Sequence, residues 1–150
     1  MYKLDIVKIL EKLDTDGIAV VDGLLDSDVL KNVKAESEQI LAKATSDYNY
    51  GKGTQITLPS SGIIKDIFTY KWMQEIADKY LKRSRPLNPQ VAITHEYIST
   101  DDVARNGFWH FDRRHSLKFF FYLTDVTEGC GAFSIDRGKH KLGKKLKLGS

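Results

Sequence analysis

Apolar residues at Ile6, Ile9, Leu10 and Leu13 recur three and four positions apart and then meet Asp16-Gly17. This spacing predicts a short first helix stopped by the glycine. The β-branched run Ile18 to Val21, closed by Asp22-Gly23, predicts a buried strand. Ser27 is positioned to cap a second helix, with Leu30, Val33, Ile40 and Leu41 on its apolar face and lysines and glutamates opposite. Residues 46–53 are polar and contain Tyr and Gly, predicting a loop, and Gln55 to Leu58 suits a strand. After Pro59-Ser60-Ser61, helical spacing returns at Ile67, Met73, Ile76, Ala77 and Tyr80. Pro86 and Pro89 make 82–89 a connector, because proline blocks helix interiors and central strands alike.

Beyond Pro89 the pattern changes to strands, at 91–98, 108–112, 117–124 and 132–135. Helices first and strands afterwards predict an α+β chain, with helices packed on one side of a largely antiparallel sheet or barrel. The N-terminal part, with helices and strands, covers about residues 1–88, and the main strand region begins near 91. Leu117 to Leu123 is apolar on both strand parities apart from Lys118. That predicts a central strand covered on both faces.

Composition and charge narrow the class. With 150 residues, 41% hydrophobic and 29% charged, the chain has the make-up of one soluble domain, residues 1–150. No apolar run approaches the roughly 20 residues of a membrane helix, and the N-terminus has no signal-peptide core. The expected location is the cytoplasm, and the single Cys130 fits a reducing compartment. The net charge of +3 is misleading as a sign of nucleic-acid binding. Six basic residues and no acid follow from Arg137 onward, so the preceding body stands at −3. A terminal lysine cluster without interleaved aromatics predicts a solvated loop, no nucleic-acid partner and no membrane partner.

The chemistry centres on His110-Phe111-Asp112. On a strand, residues two apart share a side, so an imidazole and a carboxylate can converge on one cation while Phe111 points away. Such a pair supplies two donors of a 2-His-1-carboxylate face and leaves other metal positions open.

The order of segments around this pair resembles the phytanoyl-CoA dioxygenase family. Phe108-Trp109-His110-Phe111-Asp112 is similar to its W-H-x-D strand, and Tyr122-Leu123-Thr124-Asp125-Val126 to its "YLTDV"-like strand. Gly131-Ala132-Phe133 begins a "GxF…PGSHK"-like element, which here ends Asp136-Arg137-Gly138-Lys139-His140-Lys141 without the proline and serine. Asp16 to Leu25 looks like the family's "DGxxVxxxxL" entry. The resemblance covers 91–141 closely and 4–45 more loosely.

It implies a double-stranded β-helix, the cupin-like jelly roll, with N-terminal helices on one sheet. It also implies that His110 and Asp112 bind Fe(II), that 2-oxoglutarate chelates the metal as co-substrate, and that O2 is consumed in hydroxylating a small organic or lipid-like molecule. Lys118 has two readings: its ammonium reaches the 2-oxoglutarate carboxylates with Phe120 packing beside it, or it snorkels to the sheet margin. Arg113 and Arg114 either contact an anionic substrate or are solvated.

The departures from the family pattern matter as well. The family's distal histidine and 2-oxoglutarate-binding arginine lie well downstream. Here the other histidines are His95, His115 and His140, and His140 falls in the loop element rather than at the distal position. About five strands are visible where a jelly roll needs about eight. The expectation is an incomplete domain with little or no turnover by itself. The alternative is a non-catalytic β-helix protein that binds a ligand after losing the full iron site.

Overall fold

The computed structural model describes residues 4–43, 47–48, 51–56, 59, 61–82, 91–96, 116–127 and 132–145. Helix α1 (Ile6–Asp16) starts where the Asp5 side chain accepts from the Lys8 N–H at 3.1 Å. It ends at Gly17, whose φ of 79° lets its N–H turn back to the Leu13 carbonyl. Helix α2 (Ser27–Ala42) is capped by Asp26, not by Ser27 as the spacing suggests. The Asp26 carboxylate accepts from Val29 N–H at 2.9 Å, and an anion suits the positive end of the helix better than a hydroxyl.

The predicted strand at 18–21 is absent, and Val20 is 73% exposed. β-branched composition alone does not make a strand. It needs a neighbour to complete its hydrogen bonds, and among the described residues none pairs with 18–21. Conversely, the polar stretch read as a loop contains strand residues at 47–48 and 51–53. Strands β1 (Asp47–Tyr48) and β2 (Gly51–Ile56) pair antiparallel, with Tyr48 opposite Gly51.

The helical stretch after Ser61 is two helices, α3 (Ile63–Phe68) and α4 (Lys71–Leu81). The break falls at Thr69 and Tyr70, where Tyr70 turns extended with ψ 125°. It reorients the chain so that Ile64 and Ile67 on one helix and Met73, Ile76 and Ala77 on the next are all buried. The amino end of α3 is capped from a distance. Glu36 on α2 accepts from the backbone N–H groups of Ile63 at 2.8 Å and Ile64 at 3.3 Å. This satisfies donors that the helix cannot satisfy itself.

Strand β3 (Val91–Glu96) completes a three-stranded antiparallel sheet in the order β1-β2-β3, with Ile56 opposite Val91 and Thr54 opposite Ile93. Val91 and Ile93 are buried while Ala92 and Thr94 are exposed, the alternation of a sheet covered on one face. The cover comes from the helices: Val91 and Ile93 join Val33 and Leu41 of α2, Ile64 and Ile67 of α3, and Met73 of α4 in one core. Helix α1 packs on α4. A short last helix, α5 (His140–Lys145), follows residues 132–139.

Among the described residues, neither 117–124 nor 132–135 pairs into a ladder, and the predicted strand at 108–112 lies outside the described residues. Among the described residues, no helix is long and apolar enough to cross a membrane.

Tyr80, half-buried on α4, offers a check on the α1–α4 contact. Burial, and then the charge of Asp14 on α1, push its phenol above the ordinary 10.0. The fold therefore favours the neutral ring. That contribution is complete below about pH 10 and is lost as pH rises through the folded-state value. Urea unfolding at pH 8 and pH 11 is expected to show wild type losing more stability on the alkaline side than Tyr80→Phe. Identical losses would exclude Tyr80 as the titrating group.

Candidate functional site

Residues 116–127 pack on the helical layer and form no ladder with other described residues, yet their burial alternates at period two from Ser116 to Thr124. The odd positions are anchored by aromatic contacts. Phe119 meets Trp72 of α4 edge-on at 6.1 Å between ring centroids, and Phe121 meets Phe68 of α3 at 6.5 Å. Leu123 packs against the same core. The even positions Lys118, Phe120 and Tyr122 face away and are exposed.

This corrects the expectation of a strand buried on both sides. Phe120 and Tyr122 are apolar enough to read as core, but they are 57% and 53% exposed. The exposure of Lys118 also removes the cost that a buried, unpaired ammonium would carry.

The open face is organised by Phe133. Its ring stacks on Phe120 at 4.9 Å with planes 27° apart, and its N–H donates to the Tyr122 hydroxyl at 3.1 Å. Lys118, Phe120, Tyr122 and Phe133 therefore form one surface with a cation at one end and aromatic rings along it. Beside it, a cleft of about 410 Å³ opens between Leu30 and Lys34 of α2 and residues Tyr122 to Asp125. Spacing alone placed Lys118 and Phe120 on a common face; Tyr122 and Phe133 were missed as partners in it. The signal for Tyr122 was its parity with Phe120, and for Phe133 there was none.

The candidate iron ligands His110 and Asp112 lie outside the described residues, as do Arg113, Arg114 and His115. Their donor chemistry, an imidazole nitrogen with a carboxylate oxygen, suits a ferrous ion. No group of three or more His, Cys, Asp or Glu able to hold a metal occurs among the described residues. His140 is described, and its Nδ1 is shut off from solvent without a hydrogen-bond partner, against Gly17 at the end of α1.

No protein-family model, curated protein or solved structure matches the chain.

Proposed function

We propose that the chain is an Fe(II)- and 2-oxoglutarate-dependent dioxygenase of the phytanoyl-CoA dioxygenase type, hydroxylating a small organic or lipid-like substrate within a double-stranded β-helix. The observation that carries this reading is the H-x-D pair at 110–112, followed after five residues by a segment that presents Lys118 and Phe120 together on one open face. His110 and Asp112 would hold the metal from one side of an extended segment. Lys118 would pair with a 2-oxoglutarate carboxylate, and Phe120 would pack on its carbon chain and exclude water. The iron with its co-substrate and O2 supplies the oxidising power; the chain's own residues bind, orient and shield.

The test is anaerobic titration of the purified chain with Fe(II) and then with 2-oxoglutarate. Changing His110→Ala or Asp112→Ala is expected to lower iron affinity by more than about 100-fold, beyond what loss of an outer-shell partner costs. Lys118→Met is expected to weaken 2-oxoglutarate binding about tenfold or more with iron affinity unchanged. Unaltered iron binding in both ligand variants would rule the reading out. A second reading, a β-helix protein that binds its ligand without turnover, rests on the histidine set His95, His110, His115 and His140, which offers none at the family's distal position. Iron binding without any 2-oxoglutarate binding would select it.

A further inference from the structure

Among the described residues, 132–145 is held to the rest of the chain at two separated places by hydrogen bonds, an ion pair and ring contacts. At one end Phe133 lies on Phe120 and donates to Tyr122. At the other, the Gly138 N–H donates to the Asp16 carbonyl at 2.8 Å, and the His140 ring lies flush against Gly17. Lys141 pairs with Asp14 at 3.5 Å. Between these anchors the segment is mostly exposed, and of its described positions only Gly143 is buried. A stretch whose described positions bury little surface is one that opens locally before the domain unfolds.

The carboxyl end of α1 is built to receive it. The last turn of α1 carries Asp14 and Asp16 and no base, an unfavourable charge at the negative end of a helix. Lys12 hydrogen-bonds Asp16 and, with Arg137 nearby, holds its carboxyl below the ordinary value, so the anion persists. Lys141 and Arg137 bring the missing positive charge, though exposed pairs of this kind contribute little. The selective element is shape: a Cβ at Gly17 would come within 2.5 Å of His140 Nδ1.

We propose that residues 132–145 act as a strap, fastened at the carboxyl end of α1 by the seating of His140 on Gly17, and that its release lifts Phe133 off the Lys118–Phe120–Tyr122 face. As a means of controlling access to a co-substrate, this rests on the dioxygenase reading. As a coupled motion it does not.

Amide hydrogen exchange of the full chain, followed residue by residue by NMR, tests the coupling without metal or ligand. Two variants loosen the α1 anchor: Gly17→Asn, which tolerates the left-handed backbone but adds a Cβ, and His140→Ala, which leaves the cap of α1 intact. The expected result is faster exchange, roughly tenfold, at both Gly138 and the distant Phe133 amide, with α4 amides such as Ile76 unchanged. Acceleration at Gly138 with Phe133 unaffected would overturn the proposal, because the two anchors would then open independently. So would no change at either amide. If Gly17→Asn exposes the whole domain, His140→Ala decides between these outcomes. Iron binding is read separately through His110→Ala, so the strap and the dioxygenase reading can fail independently.

Discussion

Replacing Gly62 by alanine is expected to destabilise the protein by about 3 kcal/mol or more, from two sources that a double-mutant cycle can separate. The backbone at Gly62 has φ 107° and ψ 171°, a region open almost only to glycine, and forcing an alanine there costs about 1–3 kcal/mol. The second source is steric: a Cβ at this position would overlap the Glu36 carboxylate. Relief of that overlap moves Glu36 away from the Ile63 and Ile64 N–H groups and leaves the start of α3 uncapped. Loss of an N-terminal cap costs about 1–2 kcal/mol, which is also the expected effect of Glu36→Ala alone.

In the Glu36→Ala background the carboxylate is gone and only the backbone cost remains, so Gly62→Ala should cost less there than in wild type. Urea denaturation of the four proteins gives the coupling. Strict additivity would mean that the side chain and the added methyl never compete. The contact joins α2 to α3 across 27 residues of sequence, so this one glycine bears on how the two helices meet.

That capping contact also shows why part of the fold was legible in the sequence and part was not. Helices α1, α2 and α4 follow from spacing, because period and burial have the same cause. The division at Thr69-Tyr70 does not, since both residues continue a plausible helical pattern. Only the need to bury Ile64 and Met73 in the same core demands a turn there. Strands β1 and β2 were hidden for the opposite reason, apart from Gln55 and Ile56, which fall within the predicted strand at 55–58. Their Gly and polar content gives no alternating signal, and they owe their existence to pairing in the sheet with β3. Ile18 to Val21 has the local preference of a strand without the partner.

At the candidate site, residue type and parity were readable, and long-range partners were not. The H-x-D pair and the shared face of Lys118 and Phe120 come from a two-residue period that sequence displays directly. The seating of His140 on Gly17 depends on two segments more than 120 residues apart and on the absence of a single carbon atom. Nothing in the charge pattern of the last residues pointed to α1. A run that reads as solvated lysines is, over Arg137 to Lys141, partly docked on an acidic helix end.

Truncating Ile76 is expected to be as damaging as the change at Gly62. Its side chain is 2% exposed and is the largest fully buried one among the described residues. It sits on α4 one turn beyond Met73, which belongs to the core shared with α2, α3 and the sheet, while α4 also supports α1. Ile76→Ala removes apolar contacts and leaves a cavity that two packed layers must either keep or collapse into, at a cost of about 2–5 kcal/mol. Ile76→Val, which removes one methylene, should cost about 0.5–1.5 kcal/mol. Val20→Ala, at a side chain 73% exposed, should stay within about 0.5 kcal/mol.

The order of these three effects is the informative result. A domain of ordinary stability holds about 5–15 kcal/mol, so Ile76→Ala would consume a large share and lower the urea midpoint accordingly. An Ile76→Ala protein no less stable than Val20→Ala would mean that α4 is not packed on both sides. The helical layer that anchors Phe119 through Trp72, and with it the open face of Lys118 and Phe120, would then lose its support.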